Sequence, residues 1–136
     1  MITERKLSKE EQAELQDARE SFVLEREGLP ELLTSLRMGP DDDVVFHLGV
    51  WLGDRVAELT GWVWVHVALG PGLEAPALVS ADRGLCFLPL QAVVHAVERA
   101  PDPWNPGPEP LVHMLERLEG GGRPQGAEGS YALVTP

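Results

Sequence analysis

The sequence predicts an α+β fold: a small antiparallel sheet of three strands, with a fourth available near residue 135, flanked by about five helices. Three observations predict it. Residues 42–59 carry apolar side chains at helical spacing, and residues 62–69, WVWVHVAL, alternate at period two. Two further short apolar runs, 75–80 and 85–88, are joined by a tight turn. Strands therefore run together, with helices before and after them. No internal repeat breaks this order, and 136 residues make a single domain, 1–136, able to bury a core without disulfide or metal.

Taken in order, residues 3–27 are charged and helix-prone, with Leu7, Leu15, Ala18, Phe22 and Val23 spaced at three and four. Ser8 followed by Glu11 forms a capping box that starts the helix near Lys9. Alternating charge signs mark a solvated face. Pro30 sits in the first turn of a short second helix, which Gly39-Pro40 ends. Asp41, Asp42 and Asp43 then precede the apolar run of 42–59. Acids at that place satisfy free amides and complement the helix dipole, whereas a calcium loop needs ligands spread over about a dozen residues.

Within this third helix Val45, Leu48, Leu52, Val56 and Leu59 form an apolar stripe, and Gly49, Gly53 and Ala57 form a second, flat one. A helical glycine costs roughly 1 kcal/mol relative to alanine, so the flat stripe implies close approach by another helix or a sheet. Thr60-Gly61 closes the helix. The strand WVWVHVAL places Trp62, Trp64 and His66 on one face and Val63, Val65 and Val67 on the other. The valine face is expected to pack on the glycine-striped helix, with the tryptophan face covered by the N-terminal helices. Gly70-Pro71-Gly72 breaks the strand, and Ala81-Asp82-Arg83-Gly84 turns the second strand into the third.

Pro89 opens a helix running to about Arg99. Residues 101–110, with five prolines in ten, form a stiff extended loop carrying Trp104. Pro110 starts another helix, with Leu111, Met114, Leu115 and Leu118 on one side. Residues 120–129 read as a flexible Gly-rich linker to a short terminal strand or tail.

The run Leu48-Gly49-Val50-Trp51-Leu52-Gly53, the strand Trp62-Val63-Trp64-Val65, and the step Phe87-Leu88-Pro89-Leu90 resemble a family of uncharacterised bacterial α+β domains. That family has an LGxxLG helix followed by a W-V strand and a hairpin. The likeness covers about residues 42–100. It implies the fold and carries no activity with it.

Composition narrows the function. The formal charge is −11, which repels phosphate backbones and anionic lipid, so neither nucleic acid nor a membrane surface is expected as a partner. A basic protein surface suits it better. Nine Arg against two Lys, with one Ile and one Asn, is the usage of a GC-rich bacterial genome. Cys86 is the only cysteine, consistent with a reducing, cytoplasmic setting. The N-terminal residues lack a signal-peptide core, and the longest apolar runs are far too short to cross a bilayer.

No phosphate-loop, nucleophile-elbow or zinc-ligand spacing is present, and His47, His66, His95 and His113 fall singly on four elements. No catalytic residue, metal or cofactor is therefore assigned. The candidate binding residues are Trp62, Trp64, His66 and Trp104, which include three of the four tryptophans, a residue enriched where proteins bind. Two functions follow. The first is a non-catalytic, acidic, cytoplasmic protein-interaction module of the adaptor or immunity type. The second is a small-ligand-binding domain or enzyme with a pocket lined by Trp62, Trp64 and His66. A homodimer through a sheet edge or the glycine stripe is a further expectation.

Overall fold

The computed structural model describes residues 2–99 and 109–136. In chain order the elements are β1 (Thr3–Arg5), α1 (Lys9–Ser21), α2 (Leu29–Met38), α3 (Asp42–Thr60), β2 (Val63–Gly70), β3 (Leu73–Val79), β4 (Leu85–Phe87), α4 (Pro89–Glu98), α5 (Pro110–Glu119) and β5 (Ala132–Leu133). The class is α+β as predicted, but the sheet has five strands rather than three or four, in the order β1-β2-β3-β4-β5. It is also mixed: β4 and β5 run parallel, the other pairs antiparallel.

Local chemistry sets most boundaries. Ser8 Oγ accepts from the Glu11 N–H at 3.1 Å while Glu11 Oε1 accepts from the Ser8 N–H at 3.0 Å, closing the capping box that starts α1. Asp41 caps α3 by accepting from the N–H groups of Asp43 and Val44. Gly61, with φ of +80°, ends α3 in the left-handed conformation that favours glycine. The stretch expected to be uniformly helix-prone divides instead. Thr3–Arg5 pairs with Ala68, Val67 and His66 as an added edge strand, and the helix stops at Ser21. Nothing in three exposed or half-exposed residues announces a strand; the open edge of β2 recruits them.

The main core lies between α3, the sheet and the helices α2, α4 and α5, with Leu33, Leu48, Leu52, Val56, Leu78, Phe87 and Leu115 nearly inaccessible. Both glycines of α3 mark close approach. A Cβ on Gly49 would stand 2.4 Å from the Leu90 side chain of α4, and one on Gly53 would stand 2.2 Å from the Trp64 ring. Gly49 and Gly53 are therefore covered from within, by Leu90 and Trp64.

The contact at Gly53 also reverses the expected sides of β2. The tryptophan face, not the valine face, packs on α3, because a flat indole fits a helix surface without Cβ atoms. Val65, Val67, Ala77, Val79 and Cys86 form a separate core on the opposite side, packed by Ile2, Leu88 and Tyr131. No described helix covers that side, yet Val67, Ala77 and Val79 are wholly buried. Curvature explains it. Glu4 of β1 bonds both Arg83 and Tyr131, the residue immediately before β5. In a flat sheet four strand spacings would separate the edges by about 19 Å, beyond the reach of these side chains. The sheet is curled far enough for the Glu4 and Tyr131 side chains to touch while the β1 and β5 backbones remain unpaired, and the small residues line the inside of the curl.

Candidate functional site

Trp62, just before β2, is 9% exposed and belongs to the main core. Trp64 is half-buried between α1 and α3, and its indole N–H donates to Asp54 Oδ1 at 3.0 Å. Asp54 also takes both arms of the Arg19 guanidinium, at 2.7 and 2.9 Å, so one carboxylate ties β2, α1 and α3 together. His66 Nδ1 lies 2.7 Å from Glu11 Oε2 and its Nε2 lies 3.3 Å from Glu74 Oε1. Trp104, with most of the Pro-rich loop, lies outside the described residues.

The three strand residues thus share a face of the sheet but not a site. Trp64 and His66 are engaged by the protein's own helices and carboxylates. Burial alone would raise the Glu11 carboxyl, but hydrogen bonds from the Ser8 N–H, His66 and Arg5 outweigh it and hold the group at about 2. Glu11 is therefore a structural carboxylate that anchors the start of α1 to the sheet.

The valine side has a comparable clasp. Arg83 Nε donates to Glu4 Oε1 at 2.6 Å, and the guanidinium holds the Glu4 carboxyl below its ordinary range. Beneath it, burial and the Glu4 charge push the Cys86 thiol up to about 11. A thiol in that state is a small hydrophobe rather than a nucleophile.

Trp62 leads to the feature that sequence reasoning missed. It floors an apolar cleft of about 380 Å³ between the end of α3, α5 and the β5 segment. Phe87, Met114 and Leu118 form its walls, and His113 and Arg117 of α5 stand at its polar margin. The volume falls in the range of small-molecule and side-chain pockets, about 300–1,000 Å³. Of the three candidate residues that are described, only Trp62 lines it. The amphipathic pattern of α5 was visible, but not that its Met114 and Leu118 meet a tryptophan more than fifty positions earlier.

The β5 segment forms the other wall. The Ala132 N–H donates to Gly84 O and the Val134 N–H donates to Cys86 O, both at 2.9 Å. Backbone groups alternate along a strand, so Leu133 between them turns its N–H and C=O away from β4, along the open edge. Its side chain is 52% exposed. Residues 120–131 hold this segment in place: Arg123 donates to the carbonyls of Leu118 and Leu59, and the Gly129 N–H donates to Asp82 O.

No protein-family model, curated protein or solved structure matches this chain. Among the described residues, no helix is long and apolar enough to cross a membrane.

Proposed function

We propose that this chain is a non-catalytic, acidic protein-interaction module that receives an extended segment of a partner protein. The observation that carries the reading is the open β5 edge at Leu133 lying beside the Trp62 cleft. A strand added to such an edge gains main-chain hydrogen bonds, and its alternate side chains drop into adjoining pockets. The buried, unreactive Cys86 fits the reducing cytoplasmic setting proposed for it. The likeness to uncharacterised bacterial domains is compatible with this reading and adds no activity to it.

The test uses a random peptide display library selected on the immobilised full chain. Selection should enrich peptides with alternating apolar residues. Leu133→Pro deletes the outward N–H without touching the β4 pairing, and Ala132→Trp, at an exposed position of the lining, obstructs the cleft. Each should abolish capture while circular dichroism shows an unchanged fold. Capture that survives both variants overturns the reading.

A second reading is a small-ligand site in the same cleft, favoured by its volume and its mainly apolar walls. A homodimer through two β5 edges is the third use of this surface; sedimentation at several concentrations separates it from the first two.

A further inference from the structure

The charge around the cleft runs opposite to the charge of the molecule. The chain holds 22 aspartates and glutamates against 11 lysines and arginines. Among the described residues, none of those acidic side chains lines the cleft, whereas Arg117 and His113 do. These two sit four positions apart on α5 and so face the same way. Arg117 is exposed, and among the described residues it enters no ion pair. Six other arginines are engaged by internal carboxylates: Arg5, Arg19, Arg26, Arg37, Arg55 and Arg83. Arg117 is thus placed differently from them, at the mouth of an apolar hollow beside an open strand edge.

Resting on the proposed edge-binding function, we infer that the segment seated on β5 is an acidic one, with an apolar side chain in the Trp62 cleft and an aspartate or glutamate within two residues facing Arg117. Net charge alone favours a basic partner. Screening decides between the two. Beyond the Debye length of about 8 Å at physiological salt, distant surface acids are largely screened, while a carboxylate in contact with a guanidinium is not. The guanidinium fork also matches a carboxylate with two parallel hydrogen bonds, which gives direction as well as charge.

Peptides recovered from the display library are the probe. Those that bind should carry Asp or Glu at a fixed offset from the apolar anchor. A synthetic peptide of this kind should bind about threefold tighter by fluorescence anisotropy than its Asn or Gln counterpart, the size of a partly exposed ion pair. Arg117→Gln should erase that difference while still binding both peptides, a pattern that general loss of folding does not produce. Selected peptides without an acid, or a preference that survives Arg117→Gln, overturn this inference and leave the edge-binding reading standing. An empty selection overturns both. Saturation by a small apolar carboxylate with no peptide binding identifies a small-molecule occupant and overturns both as well.

Discussion

Tyr131 Oη donates to Glu4 Oε1 at 2.5 Å, joining the residue before the last strand to the first strand of the sheet. Glu4 accepts from Arg83 at the same time, so one carboxylate closes the curl from two sides. Glu4→Gln keeps the shape and removes the charge. Charge-assisted hydrogen bonds contribute about 1.5–3 kcal/mol, so this substitution should destabilise the protein by roughly that amount in urea unfolding. An unchanged urea midpoint would show that the curl is held by its apolar lining alone.

Acid should weaken the protein through Glu11. Its carboxyl is held at about 2, below the ordinary 4.5, so its contribution is complete above the ordinary value. That contribution is lost as pH falls from about 4.5 towards 2, where the folded carboxyl at last takes a proton. A tenfold change in proton affinity on folding corresponds to about 1.4 kcal/mol, and partial exposure reduces the sum, so about 2–3 kcal/mol is the upper range. Stability curves of the wild type and Glu11→Gln should converge across that window. Parallel curves would remove Glu11 as the acid-sensitive group.

Gly53→Ala tests the seat of the strand. Helix propensity alone favours alanine by about 1 kcal/mol. The added Cβ would meet the Trp64 ring at 2.2 Å, far inside contact distance. Overpacking of this kind costs about 1–3 kcal/mol, so the variant should be destabilised overall, with a shifted tryptophan emission. A more stable variant would mean that Trp64 moves aside freely.

Cys86 should resist alkylation. It is wholly inaccessible and its thiol is raised to about 11, so iodoacetamide at about pH 8, below even an ordinary thiol's pKa, should label the native chain only through unfolding. The labelling rate should rise steeply with urea and in Tyr131→Ala, which removes part of its cover. Rapid labelling of the native wild type would contradict a closed curl.

The elements set by local pattern were readable in the sequence. The capping box at Ser8, the stripe of α3 with its glycine stop, and the β3–β4 hairpin all follow from neighbours within a few residues. What was not readable depends on pairing between distant segments. Both faces of WVWVHV are apolar, so alternation locates the strand without saying which face meets the helix. The flatness of Gly53 decides that. Thr3–Arg5 has no strand signature of its own, and its conformation comes from the free edge of β2. The cleft joins Trp62 to α5 and to β5, so no local spacing reveals it. Of the three described candidate positions, Trp62, Trp64 and His66, only Trp62 therefore belongs to the cleft, and none lies at its margin.

The curl has a consequence for how the chain reaches its native state. Glu4 and Tyr131 are 127 positions apart, so the contact between them cannot form until Tyr131 has been synthesised. During synthesis the helices and the tryptophan side can consolidate early, since α3, the hairpin and α4 are consecutive. Until Tyr131 is available, the valine lining has only Ile2 and Leu88 of its three packing neighbours, which leaves part of it exposed for that interval. A chain halted before Tyr131 should accordingly be recognised by chaperones more strongly than one that includes it.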